Sequence, residues 1–283
     1  MELTRHGDAG DFLARAGDFL SAREAEHNLI LGLSSRLRQQ PLLYGEPAYL
    51  VTVEDEGRVV GVTMRTPPHN LILSEIDDEN AIPLLLEDAR DAFGALPGVV
   101  GPKAPAAEFS ELWQEATGAD ARVEIEQRCF RAELVRPPAN VAGSMRAYEP
   151  RDRDVAVRWM DAFVEEALHG PEPESSAEFV DRRHEDPEAG LVVWEDGGAT
   201  VSMAGFGGPT PNGIRIGPVY TPPELRGHGY ASALTAGLTQ RLLDEGRRFC
   251  FLFTDLSNPT SNNIYQRIGY RPVIDVDLWR FSG

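Results

Sequence analysis

The densest chemical signal lies in Val219-Tyr220-Thr221-Pro222-Pro223-Glu224-Leu225-Arg226-Gly227-His228-Gly229-Tyr230-Ala231-Ser232, which reads as a strand running through a short loop into a helix. Gly227, Gly229 and the small Ala231 would leave backbone N–H groups uncovered at the helix N-terminus. There the dipole and the orphan donors together suit a phosphate or pyrophosphate. The same glycines would also serve a plain tight turn from strand to helix. A dinucleotide fingerprint, G-x-G-x-x-G, fails because its third glycine is Ser232, because two prolines separate strand from glycines, and because too few strands follow. A nucleoside-triphosphate loop fails too: no Gly-Lys-Ser/Thr follows, and Lys103, the one lysine of the chain, stands far away.

Downstream, Asn258-Pro259-Thr260-Ser261-Asn262-Asn263-Ile264-Tyr265-Gln266-Arg267-Ile268-Gly269-Tyr270 sets an asparagine before a short helix that carries a tyrosine and closes on Gly-Tyr. Arg226-x-x-Gly229-x-Ala231 resembles the Arg/Gln-x-x-Gly-x-Gly/Ala signature of the GCN5-related N-acetyltransferases, and the asparagine segment is similar to that family's second motif. The two stand in family order, one helix and one strand apart. The resemblance is close over residues 145–283 and reaches the first half only in its order of elements.

The resemblance implies an acetyl-CoA-dependent N-acetyltransferase, with acetyl-CoA as co-substrate, no metal, and direct attack by a primary amine of a small molecule or peptide in a ternary complex. It implies that backbone groups of Val219, Tyr220 and Thr221 meet the pantetheine arm at a splay between neighbouring strands. Gly217 and Pro218 suit such a splay, since proline cannot donate to a ladder and glycine marks bulges. The amides of Arg226, Gly227, His228, Gly229, Tyr230, Ala231 and Ser232 would hold the pyrophosphate, with Asn258 at the pantetheine amides and Ser261 and Asn263 nearby. Tyr265 would supply the departing thiolate with a proton or hydrogen bond.

The base is harder to place. Many members of the family carry a glutamate on the strand before the loop, but here that strand reads Gly213-Ile214-Arg215-Ile216-Gly217. The candidates are Glu165, Glu166, His169, Glu172, Glu174 and Asp255, of which Glu166 and Asp255 are carried forward with Tyr265 as catalytic. Any of these carboxylates could equally be part of a solvated acidic segment. The missing strand glutamate keeps a second function open, a non-catalytic acyl-CoA-binding or regulatory protein of the same fold.

The elements that must position these residues recur in two halves. In the first, the sequence predicts a helix over Asp11–Gln40, strands at Ala48–Val53, Val59–Met64 and Leu71–Leu73, a helix over Asn80–Phe93, a strand at Val99–Val100, a helix over Ala107–Thr117 and a strand over Ala121–Val135. Arg136 to Ser144 is rich in proline and glycine and reads as a linker, placing a domain boundary at residue 142. The second half predicts helices over Arg151–His169 and Phe179–His184, a hairpin of Leu191–Trp194 and Thr200–Gly205, and a strand over Gly213–Tyr220. A helix over Ala231–Glu245, a strand over Phe249–Thr254, a short helix over Pro259–Ile268 and a strand over Pro272–Arg280 complete it. The fold class is α/β with mixed sheets flanked by helices, in two tandem acyltransferase-like domains, 1–142 and 143–283, repeating at about 140 residues. In the first copy the loop after Leu71–Ser74 reads Glu75-Ile76-Asp77-Asp78-Glu79, whose four carboxylates would repel a pyrophosphate. That copy is therefore expected to be degenerate.

Composition bounds the rest. With 27 Lys+Arg against 45 Asp+Glu the 283-residue chain carries a net −18, which disfavours nucleic acid and anionic membranes and favours a cationic acceptor. No apolar run approaches the roughly 18 residues of a membrane span, and the N-terminus does not read as a secretory signal, so a cytoplasmic protein is expected. Cys129 and Cys250 are too few for a disulfide framework.

Overall fold

The computed structural model describes residues 1–167 and 174–283, which form two compact units: Met1–Cys129 with Val273–Gly283, and Phe130–Pro272. Residue 142 lies inside the second unit.

The first unit runs β1 (Glu2–Arg5), α1 (Ala9–Ala22), α2 (Asn28–Gln39), β2 (Tyr49–Asp55), β3 (Arg58–Arg65), β4 (Leu71–Leu73), α3 (Ala81–Phe93), β5 (Gly98–Pro102), α4 (Lys103–Thr117) and most of β6 (Asp120–Ala132). Its strand order is β1-β2-β3-β4-β5, then the C-terminal strand of the chain, then β6. Alternation along the strands sends neighbouring residues to opposite faces. Val51, Val53, Leu71 and Leu73 pack with α3 and α4 around Leu85, Phe109 and Trp113, while Leu50, Val62, Met64 and Ile72 pack with α1 and α2 around Phe12, Leu20 and Ile30.

The single helix expected over Asp11–Gln40 is two helices, parted at residues 23–27. Arg23, Glu24, Ala25 and Glu26 are all helix-compatible, so the break is tertiary. His27 and Asn28 are each 1% exposed, and the His27 imidazole is committed on both nitrogens, Nδ1 to the Leu20 carbonyl at 3.1 Å and Nε2 to the Glu75 N–H at 3.2 Å. Those bonds fix the neutral tautomer protonated on Nδ1.

The second unit runs β7 (Ser144–Ala147), α5 (Arg153–Ala167), α6 (Ser176–Glu185), β8 (Gly190–Asp196), β9 (Ala199–Gly207), β10 (Gly213–Tyr220), α7 (Tyr230–Asp244), β11 (Phe249–Asp255) and α8 (Pro259–Arg267); β12 (Arg271–Ser282) follows. The strands lie in the order β11-β10-β9-β8-β7, with Phe130–Ala132 of β6 beside β11. One face packs Val192, Ile214, Ile216 and Leu252 against α7 through Leu234, Leu238 and Leu242. The other packs Leu191, Val193, Met203 and Tyr220 against α5 and α6 through Ala156, Met160 and Val180. In both units the hairpins pair antiparallel, whereas β4 with β5 and β10 with β11 run parallel. The edge strands β1 and β7 had no sequence signal, being four residues long with little apolar alternation. In the first unit β12 pairs with β5, from Val276 on Pro102 to Arg280 on Gly98.

Candidate functional site

The parallel pairing of β10 and β11 holds over only three positions, Gly213 to Phe249, Ile214 to Cys250 and Arg215 to Phe251. Both strands continue, β10 to Tyr220 and β11 to Asp255, without further pairing to each other. They splay, and one edge of the β10 backbone beyond Arg215 lies open to an extended ligand, the geometry of strand addition. A bulge sets the splay on the other side: Ile216 faces Phe206 and Val219 faces Ala204, so Gly217 and Pro218 together oppose Gly205. A Cβ on Gly205 would stand 2.8 Å from the Gly217 carbonyl oxygen, so the crowded bulge requires glycine there.

Beyond β10 the chain turns through Pro223–Leu225 into the glycine loop. Gly227 and Gly229 both adopt φ +84°, which β-carbon sterics disfavour for other residues. Gly229 is the N-cap of α7, and no side chain caps the helix. The first-turn amides of Tyr230, Ala231 and Ser232 thus have no side-chain acceptor, and the positive end of the helix dipole points into the loop. The Tyr230 ring turns away into the core, its hydroxyl donating to Asp196 Oδ2 at 2.6 Å. His228 stacks on Tyr230 at 5.4 Å and turns Nδ1 toward the Leu225 and Arg226 carbonyls, so it serves the loop's shape. An uncapped helix start behind two left-handed glycines, beside a splayed strand pair, fits a diphosphate with an extended arm.

One expected carboxylate reaches this loop. Glu166, on the last turn of α5, accepts from the Tyr220 hydroxyl at 3.0 Å through Oε1 and from the Arg226 guanidinium at 2.6 Å through Oε2. Arg226 also donates from Nε to the Thr221 carbonyl at 2.9 Å and lies over the Tyr220 ring at 5.8 Å; Trp159 packs on that ring at 6.3 Å. Burial, then the Glu166 hydrogen bond, raise the Tyr220 phenol above its ordinary range. Ser202 donates to the Tyr220 carbonyl at 3.0 Å and shares a 2.9 Å hydrogen bond with the Thr221 hydroxyl, fixing the end of β10. The partnership of Glu166 with Tyr220 and Arg226 was invisible in the sequence, because the residues lie 54 and 60 positions apart.

Tyr265 stands on α8, half-buried against the α7-side core and edge-on to Tyr270 at 5.9 Å. Burial pushes its phenol up to about 12, so it remains protonated at neutral pH. Asn258 caps α8, its Oδ1 accepting from the Ser261 N–H at 3.1 Å; Asn263 is exposed on the same helix. Asp255 is the last residue of β11 and accepts from the Ser257 N–H at 2.6 Å, which shapes the turn into α8. No hydrogen bond among the described residues joins Asp255 or Tyr265 to the Glu166 cluster. Asn262, which the sequence reading passed over, bonds the Asp255 and Asn258 carbonyls at 3.0 and 2.9 Å and accepts from the Thr254 hydroxyl, tying β11 to α8. Its only signal was a further short polar side chain one helical turn after Asn258.

Of the other candidate bases, Glu174 is held by Arg182 at 2.6 Å through both oxygens, Glu165 is exposed on α5, and His169 and Glu172 lie outside the described residues. No cluster of metal-ligating side chains occurs among the described residues, and no helix there is long and apolar enough to cross a membrane.

The first unit carries the corresponding parallel pair but an opposite loop. Between β4 and α3, Glu75 and Asp77 face Arg23, whose guanidinium lies 2.6 Å from Asp77 Oδ1 and 3.7 Å from Glu75 Oε2 and packs over Phe19 at 5.2 Å. Burial pushes the Glu75 carboxyl up, with Glu26 and Asp77 adding to the effect against Arg23. In the second unit a carboxylate from the preceding helix meets an arginine of the loop. Here the signs are exchanged, and no glycine opens the helix start.

Residues 155–270, within the second unit, match the family described as the acetyltransferase (GNAT) family. Among solved structures the chain is similar to a GCN5-related N-acetyltransferase from Sphaerobacter thermophilus at TM-score 0.60 and 18% identity, covering 98% of this chain and 95% of that one. An acetyltransferase from the GNAT family of Colwellia psychrerythraea aligns at TM-score 0.58 and 12% identity over 100% and 99%. A tandem GNAT protein from the clavulanic acid biosynthesis pathway aligns at TM-score 0.58 and 14% identity over 99% and 98%. Identities this low speak for a shared fold, which spans both units. A search of curated proteins gave no match.

Proposed function

We propose, from the match of residues 155–270 to the acetyltransferase (GNAT) family, that the protein transfers the acetyl group of acetyl-CoA to a primary amine of a small molecule or peptide. The observation that carries the reading is the uncapped, glycine-fronted start of α7 placed beside the splayed ends of β10 and β11. The loop amides from Arg226 to Ser232 receive the diphosphate, and the open edge of β10 through Val219, Tyr220 and Thr221 pairs with the pantetheine arm. Asn258, Ser261 and Asn263, at the start of the helix that follows β11, serve the amides of the same arm.

Glu166 is the carboxylate for the acceptor. It draws in the ammonium form and takes the proton that the nitrogen must lose before its lone pair can attack the thioester carbonyl. Backbone N–H groups at the splay hold the oxygen as charge develops on it. The tetrahedral adduct then loses the second nitrogen proton to solvent, and as the C–S bond breaks the Tyr265 phenol gives its proton to sulfur and is reprotonated from solvent. Asp255 serves this site by shaping the turn that presents α8. A carboxylate beside Trp159 and Tyr220 favours a cationic acceptor, as does the net charge of −18. The first unit, with carboxylates in place of the glycine loop, leaves CoA binding to the second.

Calorimetric titration with acetyl-CoA, followed by thiol release measured across an amine library, tests the reading. Binding at one site per chain with turnover on an amine supports it. Binding without turnover on any amine leaves an acyl-CoA-binding protein instead, and absence of binding refutes both.

A further inference from the structure

Both oxygens of Glu166 are engaged, one by Tyr220 and the other by Arg226, and Arg226 belongs to the loop assigned to the diphosphate. A carboxylate with one oxygen on a phenol and the other on a guanidinium at 2.6 Å has both oxygens occupied and presents neither freely to an ammonium. The same guanidinium is a planar donor suited to a diphosphate oxygen; its Nε bond to the Thr221 carbonyl keeps it at the loop, and because Nε shares the plane of the head, turning to the diphosphate moves the whole group away from Glu166. Arg226 and Glu166 are 48% and 44% exposed at the side chain, so their ion pair is weak enough for a doubly charged anion to break.

We propose that Arg226 is a latch on Glu166 that the diphosphate of an acyl-CoA opens, so that the carboxylate serving the acceptor amine is released only in the loaded enzyme. The inference rests on the CoA-binding reading above. It makes Arg226 a positioning residue that couples the two substrates, and the coupling must act equally in both directions. Opening the latch costs part of the diphosphate's binding energy, so removing the partner of Arg226 should make CoA bind more tightly. A merely structural role for Glu166 would have the opposite effect.

The test is a double-mutant cycle on CoA affinity, read by calorimetry in a phosphate-free, low-salt buffer. Glu166→Gln should tighten CoA about two- to five-fold, the range for an exposed ion pair. Glu165→Gln, an equal charge change on the same helix, should leave the affinity unchanged. In an Arg226→Ala background the gain from Glu166→Gln should vanish. Dephospho-CoA, which keeps the diphosphate and lacks the 3′-phosphate, should show the same gain as CoA.

Four results overturn the latch. The first is CoA binding that Glu166→Gln leaves unchanged or weakens. The second is an equal gain from Glu165→Gln, and the third is a gain that persists without Arg226; either would mark plain charge repulsion. The fourth is a gain seen with CoA and absent with dephospho-CoA, which would assign Arg226 to the 3′-phosphate. If the unaltered chain binds no CoA, the proposed function falls with the latch, an outcome distinct from all four.

Discussion

Gly227 and Gly229 share φ +84° but differ in surroundings, and the difference sets up a quantitative test. A Cβ on Gly227 would meet nothing within 4 Å, whereas one on Gly229 would lie 3.0 Å from Val141 Cγ2. Gly227→Ala therefore carries only the left-handed backbone penalty, about 1–2 kcal/mol. Gly229→Ala carries the same penalty and an overpacked contact of about 1 kcal/mol more. Urea unfolding should place Gly229→Ala below Gly227→Ala by that margin. Binding should separate them further, because Gly229 is the N-cap whose geometry aims the Tyr230, Ala231 and Ser232 amides. Misdirecting one backbone donor to a charged oxygen costs about 1.5–3 kcal/mol, or roughly ten- to a hundred-fold in the Kd for CoA by calorimetry. If Gly229→Ala were destabilised as expected yet bound CoA within a factor of about two of the unaltered chain, the start of α7 would not be the diphosphate site. Equal stabilities of the two variants would refute the role of Val141.

Tyr265→Phe should lower kcat about 10²- to 10³-fold with CoA affinity unchanged, as expected for a lost proton donor; turnover and calorimetry on one preparation check this. Burial lowers the His27 pKa to about 4 against the Leu20 hydrogen bond, so the folded state prefers the neutral ring. A folded value below the unfolded one means that stability is complete above about pH 6.5 and is lost as pH falls toward 4, about 2 kcal/mol of it by pH 5. Denaturant melts at pH 7 and pH 5 should show this loss, and His27→Gln should flatten it. Burial pushes the Asp152 carboxyl up, but Arg146 at 2.7 and 2.8 Å and the Glu149 N–H at 2.9 Å prevail and hold it below the usual carboxylate range. Its stabilisation is present above about pH 4 and lost below. At pH 7, Asp152→Ala should cost about 2 kcal/mol by urea unfolding, below the roughly 3–5 kcal/mol of a fully buried pair because Arg146 keeps Glu195 at 2.8 Å.

The glycine loop, the bulge at Gly217–Pro218 and the helix bearing Tyr265 were legible because each rests on local backbone chemistry, left-handed glycines, a residue without an N–H, and a capping asparagine. The hairpins were legible from period-two alternation around turn residues. What escaped the sequence depends on distant partners. The break before Asn28 arises from a histidine bonded to Leu20 and to Glu75. Glu166 could be named as a carboxylate near the end of a helix, but nothing local to it points to Tyr220 or Arg226. The sign exchange between Arg23 with Asp77 and Glu166 with Arg226 likewise appears only once the two loops are compared in space.

The strand β12 carries a consequence for biosynthesis. Residues 273–283 complete the first unit although they follow the whole of the second in sequence. A chain synthesised from its N-terminus at about 5–20 residues per second makes residues 130–272 in roughly seven to thirty seconds, and through that interval β5 waits with the edge later covered by β12 exposed. The later-encoded unit therefore has all of its residues before the earlier-encoded one receives its last strand. Until its final strand arrives, the first unit presents an open sheet edge of the kind that invites pairing with other chains.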